Sequence, residues 1–203
     1  MVPIHEEEHL AVLYLVRHGR TELNTAGVLR GHLDVPLDET GDHEAKMLAE
    51  LFADLRSLQI FASPLQRAAA TAHRIAETIG SDADIDSDFV DRDYGRWSGQ
   101  PRADVEAEFG SLDRAPGVEP RGSMTSRALF EARQLALLHA PRPVMVVAHE
   151  VINQAVLARL AANTPSDPDA IPQRTGCWNR IEGRESEWFA TVVDAVPSDG
   201  RLP

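Results

Sequence analysis

Apolar positions along this chain alternate between two spacings. Over residues 10–16 they are nearly continuous and rich in β-formers, which predicts a buried strand. Over 44–55 they fall at Ala45, Leu48, Leu51, Phe52 and Leu55, the spacing of a helix with one buried face. Asp38 or Thr40 can cap its start. A second strand is predicted over 58–62, with Pro64 standing where the next helix can begin. That helix covers 66–79 and ends at Gly80. A helix over 123–139, a buried strand over 144–148 and a helix over 151–160 follow. Strands over 178–181 and 188–193 close the chain.

Strands alternating with helices predict an α/β fold, a three-layer sandwich with a mostly parallel central sheet and helices on both faces. Residues 1–203 are read as one domain, with 1–9 an acidic, mobile N-terminal segment. Two irregular stretches interrupt the alternation: 110–122, with Pro116, Gly117 and Pro120, and 163–176, with three prolines. Loops of this length are often lids or specificity loops, and surface slack is an equal reading. No internal repeat or low-complexity linker is present.

Charge narrows the partners. A net charge of −12 argues against a nucleic-acid groove or an anionic membrane as the main partner. An anionic substrate would need a local island of positive charge. The single cysteine, Cys177, forms no intramolecular disulfide and reads as a small buried hydrophobe. The N-terminus lacks a signal peptide's basic and apolar regions, and no apolar run approaches the roughly 20 residues of a transmembrane helix. The expectation is a cytoplasmic protein.

In open α/β sheets, ligands bind outside the carboxyl ends of the strands. The first predicted strand ends in Arg17-His18-Gly19-Arg20-Thr21, the second runs into Ser63-Pro64-Leu65-Gln66-Arg67, and the third ends in His149-Glu150. Two histidines and two arginines therefore share one sheet edge with helix N-termini, which favour anions. Arg20 and Arg30 extend the positive island. Arginine offers a permanently charged fork of donors matched to phosphate oxygens. Histidine can be neutral, and so nucleophilic, near physiological pH. A lone histidine at a strand end is more often structural; the cluster suits holding a phosphoryl group and attacking it.

These residues resemble the histidine phosphatase (phosphoglycerate-mutase-like) superfamily. Leu15-Val16-Arg17-His18-Gly19-Arg20-Thr21 is similar to its Arg-His-Gly signature, and Asn24, Gly31, the stretch 34–37 and Gly41 continue it. Residues Ser63 to Ala68, with Thr71-Ala72, resemble the second arginine motif. Residues Phe89 to Gly99 resemble the segment carrying the acid, and Val146-Val147-Ala148-His149 the strand leading to the second histidine. The resemblance implies that His18 forms a phosphohistidine, that Arg17, Arg67, His149 and Asn24 hold the phosphoryl oxygens, and that Asp91 donates the proton to the leaving oxygen. It implies a small phosphorylated substrate, no metal and no cofactor.

Two positions depart from the pattern. Asp91 stands where the family usually has glutamate, so reach is shorter by one methylene; a turn or cap role is its structural alternative. Glu150 stands where glycine usually follows the histidine. It reads as a structural salt bridge, a substitute acid, or a sign that ordinary phosphomonoesters are not substrates. His5 and His9 have helical metal-ligand spacing within the acidic terminus. His32, His43, His73 and His139 read as surface or packing residues, and the three tryptophans as core anchors. The favoured function is a phosphomonoesterase. The alternatives are a cofactor-dependent mutase, whose usual additional chain and tryptophan near His32 are missing, and a catalytically weak phosphate-binding or regulatory protein. Specificity is expected in the two irregular loops.

Overall fold

The structure, a computed structural model, describes residues 10–184, 186–199 and 202. The expectations for 1–9, with His5 and His9, lie outside the described residues. In chain order the elements are β1 (Ala11–Arg17), α1 (Glu22–Thr25), α2 (Glu39–Phe52), β2 (Gln59–Ala62), α3 (Gln66–Ile79), β3 (Ala83–Ile85), α4 (Arg102–Phe109), α5 (Arg121–His139), β4 (Val144–Ala148), α6 (Glu150–Leu160), β5 (Trp178–Arg184) and β6 (Glu187–Ala195). The sheet order is β3-β2-β4-β1-β5-β6. β3, β2, β4 and β1 run parallel, and the β5–β6 hairpin adds two antiparallel strands on the β1 side. This is the expected mostly parallel sheet.

Both faces of β1 are buried, so its apolar run is continuous. Alternate residues serve separate cores. Ala11, Leu13 and Leu15 pack with Met124 and Ala128 of α5 and with Ile152 and Val156 of α6. Tyr14 and Val16 pack with Leu48 and Phe52 of α2 and with Ala72 and Ile75 of α3. Three layers follow directly from this two-sided burial. Trp188 anchors the first core and Trp178 the second. Trp97 joins a third, smaller cluster with Leu29, Tyr94 and Val105 that supports the chain over the sheet edge.

Helix starts show how local chemistry frames that edge. Asp38 caps α2 by accepting from the Gly41 amide at 2.8 Å. The N-cap of α3, Leu65, has no capping side chain; Asp34 of a remote loop accepts from the Gln66 amide instead, at 2.7 Å. Gly80 ends α3 with φ +71, a left-handed conformation that glycine adopts without strain. The expected element order holds, while α1, β3 and α4 are additions. The last expected strands run further, and α2 begins five residues earlier than the apolar face suggested, at Glu39 rather than Glu44. Cys177 is buried, which pushes its thiol pKa up.

Candidate active site

Adjacent parallel strands place the site. Arg17 at the end of β1 lies opposite Ala148 at the end of β4, and Ala62 at the end of β2 opposite Val147. The next residues remain coupled: the His18 amide donates to the Ala148 carbonyl at 3.1 Å, and the Ser63 amide to the Val147 carbonyl at 3.0 Å. His18 and His149 therefore leave neighbouring strands side by side, with ring centroids 5.2 Å apart. Arg67, in the first turn of α3, reaches between them from β2.

The backbone around His18 is fixed by close packing of two glycines. A Cβ on Gly19 would meet the Gly41 carbonyl oxygen at 2.3 Å, and one on Gly41 would meet the Arg20 carbonyl oxygen at 2.0 Å. Neither neighbour is a flexible side chain, so both positions require glycine. His18 Nδ1 lies 2.7 Å from the Gly19 carbonyl oxygen. A carbonyl only accepts, so we assign the proton to Nδ1, leaving Nε2 unprotonated. Arg67 Nε donates to Nε2 at 3.3 Å. Burial is the main cause that holds the His18 pKa well below the usual histidine value, and His149, Arg67 and Arg17 push the same way. A buried, neutral imidazole with an unprotonated Nε2 carries a lone pair that can act as a nucleophile.

Arg67 is fully buried, and four of its five N–H groups are engaged among the described residues. It donates to the Leu33 carbonyl at 2.8 Å, the Gly31 carbonyl at 2.9 Å and Asp91 Oδ2 at 3.0 Å. Asp91 is buried and also accepts from the Arg92 amide at 2.9 Å. Its Oδ2 lies 3.9 Å from His149 Nδ1. His149 Nε2 lies 2.7 Å from the hydroxyl of Ser63, whose oxygen accepts from the Leu65 amide at 3.3 Å. We assign the Ser63 hydroxyl as donor to Nε2, which places the proton of neutral His149 on Nδ1. Burial, then Arg67, Arg30 and Arg17, hold the His149 pKa well below the usual value.

The remaining candidates divide. Arg17 donates to the Gln173 carbonyl oxygen and pairs with Glu150 at 3.1 Å; Arg30 pairs with the same carboxylate oxygen at 3.2 Å. Asn24 Oδ1 accepts from the Thr21 amide at 2.8 Å, while its buried Nδ2 has no partner among the described residues. Arg20 points elsewhere: it binds Asp38 at 2.8 Å and Thr40 at 2.7 Å, bracing the start of α2. The structure thus brings Arg17, His18, Arg30, Arg67, Asp91, His149 and Glu150 into one region, ties Asn24 to Thr21, and leaves Arg20 outside the cluster. Sequence reasoning missed two participants. Ser63 faces His149 Nε2 at 2.7 Å; it stood at a strand end and within the second arginine motif, but no role was read for it. Arg127, from α5, donates to the Asp91 carbonyl at 3.4 Å and to Glu119 at 3.0 Å.

A cleft of about 200 Å³ opens beside the cluster, lined by Leu29, Arg30, Asp91, Tyr94, Arg102 and Glu150 among others. Its walls come from 27–30 and 94–102 rather than from the two irregular loops, which instead meet each other through Arg121 and Asp169 at 3.0 Å. Among the described residues, no cluster of three or more His, Cys, Asp or Glu could hold a metal ion. No helix there is long and apolar enough to cross a membrane.

A neutral histidine facing convergent arginines at a parallel sheet edge defines a phosphoryl-handling α/β protein. The chain belongs to branch 1 of the histidine phosphatase superfamily, whose sequence model matches residues 13–195. It is 29% identical over 181 residues to the uncharacterized phosphatase PhoE of Bacillus subtilis, covering 88% of this chain and 92% of that one. It is 30% identical over 171 residues to a glucosyl-3-phosphoglycerate phosphatase of Mycolicibacterium vanbaalenii, covering 73% of each. A solved mycobacterial glucosyl-3-phosphoglycerate phosphatase in complex with inorganic phosphate superposes with a TM-score of 0.79 at 26% identity, covering 92% of this chain and 98% of that one. The expectations of this superfamily, of its fold and of a phosphatase hold.

Proposed function

We propose that this chain is a metal-independent phosphomonoesterase acting on a small phosphorylated metabolite through a phosphohistidine on His18. One observation carries the reading. Buried polar atoms normally have partners, and seven buried side-chain nitrogen or oxygen atoms among the described residues have none. Four of the seven are Arg17 Nε, Asn24 Nδ2, Arg30 Nε and His149 Nδ1, all on residues expected at the site. Donors gathered this way suit an anion with several oxygens.

Arg17, Arg67, Asn24 and His149 hold the phosphoryl oxygens. His18 Nε2 attacks phosphorus, and the Nδ1–H bond to Gly19 stabilises the charge that develops on the ring. As the bond to the leaving oxygen breaks, the Asp91 carboxyl gives that oxygen its proton. Water then attacks the phosphohistidine, losing its proton to the Asp91 carboxylate, and His18 returns to its neutral form. Fixed cations supply the stabilisation of charge on the transferring group. The relatives named as phosphatases support a small phosphorylated substrate.

Hydrolysis of an aryl phosphate by wild type and His18→Ala, both with EDTA, tests this. Activity that survives EDTA and disappears in a folded His18→Ala protein agrees with it; activity retained in His18→Ala refutes it. With 3-phosphoglycerate, release of inorganic phosphate separates this reading from a mutase.

A further inference from the structure

One carboxylate in the cluster has no part in the chemistry above. Glu150, the first residue of α6, uses a single oxygen to bridge Arg17 Nη2 at 3.1 Å and Arg30 Nη2 at 3.2 Å. Both arginines keep a buried Nε without a partner among the described residues, so each still has unused donor capacity. The side chains of Arg17 and Arg30 are 8% and 18% exposed, against 37% for Glu150. The cations are held in place, and the carboxylate is the group with room to move.

We infer that Glu150 is a built-in competitor for the phosphoryl group, a specificity-determining residue that weakens the hold on free inorganic phosphate. The inference rests on the phosphate-site reading above. Arg17, Arg30 and Arg67 bring three positive charges, Glu150 offsets one of them, and the buried imidazoles are neutral. A dianion therefore enters a cluster with one positive charge fewer than it would have without Glu150. It also has to displace a carboxylate from the Arg17 fork or share that fork with it. Two anions a few ångströms apart repel strongly at the partial desolvation of this site.

That penalty falls equally on substrate and product, but their other contacts differ. A phosphoester brings a leaving group that can fill the cleft along Leu29, Tyr94 and Arg102. Inorganic phosphate has no such group. Glu150 thus speeds departure of the phosphate product, while the leaving group's own contacts hold the ester. A purely structural role for the bridge gives the opposite sign. If Glu150 only held Arg17 and Arg30 in position, its removal would loosen phosphate binding.

Calorimetric titration of the full chain with inorganic phosphate decides between them. Glu150→Gln keeps the shape and removes the charge, and Glu150→Ala is the second variant should the first misfold. The expected result is a Kd for phosphate lower than wild type by roughly ten-fold or more, with a parallel fall in the product-inhibition constant. An unchanged or weaker affinity in the folded variants overturns the inference and leaves the phosphatase reading standing. Phosphate binding in none of the proteins overturns both.

Discussion

Replacing Asp91 with asparagine keeps the side-chain shape and removes one charge and one transferable proton. Two losses follow, and they are separable. Arg67 and Asp91 form a buried ion pair at 3.0 Å. Removing one partner of such a pair costs about 3–5 kcal/mol. Arg67 keeps its bonds to Gly31 and Leu33, and the asparagine oxygen can still accept from it. The lower end applies, about 3 kcal/mol. In a chain of 203 residues that lowers Tm by roughly 6–12 °C. The chemical loss depends on the ester. An alkyl leaving oxygen needs a proton as it departs, whereas a nitrophenolate does not. Asp91→Asn therefore loses about 10²- to 10⁴-fold in kcat/KM on alkyl phosphates and far less on an aryl phosphate. The assay compares both esters below the variant's melting transition. Equal losses on the two would refute Asp91 as the proton donor and leave it a structural partner of Arg67.

The other predictions concern the frame around the histidines. Unfolding returns His18 and His149 to water, where the imidazole pKa is about 6.5; below that pH the unfolded chain binds protons that the folded one does not. Stability should therefore fall as pH drops from about 6.5 towards 5, by ~2.7 kcal/mol per pH unit for the two rings, and should not depend on them above it. His18→Asn should reduce that slope by half in urea titrations, and an identical slope would contradict the burial of a neutral His18. Gly41→Ala forces a Cβ onto the Arg20 carbonyl and should cost about 3 kcal/mol along with most of the turnover; a variant as stable and active as wild type counts against the tight glycine contact. Ser63→Ala leaves His149 Nε2 buried without its 2.7 Å partner and should cost about 1–3 kcal/mol. Its phosphate affinity should also fall while aryl phosphate turnover survives in part, and wild-type affinity would show that Ser63 does not set His149.

How far the sequence revealed this arrangement depends on the kind of signal each residue gives. His18, Arg67 and His149 were legible together because parallel strands bring their carboxyl ends to one edge, so three short motifs converge without long-range information. The start of α2 was legible from its cap, Asp38, and not from apolar spacing, because its first turn carries polar side chains and a buried glycine, Gly41. α4 buries Val105 alone, and β3 is a three-residue edge strand with two exposed positions, so neither has a stripe to read. The salt bridge was one of three readings open for Glu150, and the sequence did not choose among them, because Glu150 and Arg30 lie 120 residues apart and local spacing does not encode their pairing. Arg20 shows the converse. Its place two residues from His18 suggested substrate contact, yet its side chain binds Asp38, the cap of α2. The cleft walls were missed for the same reason, since 27–30 and 94–102 meet only through the fold.

The central claim is covalent catalysis by His18, and trapping the intermediate tests it most directly. Wild type should be mixed with an aryl phosphate in EDTA, quenched within the first turnovers in alkali and mapped by mass spectrometry. The account predicts an acid-labile phosphoryl group on the peptide bearing His18, formed and lost at rates compatible with turnover and absent from His18→Ala. Steady hydrolysis by wild type with no phosphoryl group on His18, under conditions where phosphohistidine survives, would contradict it.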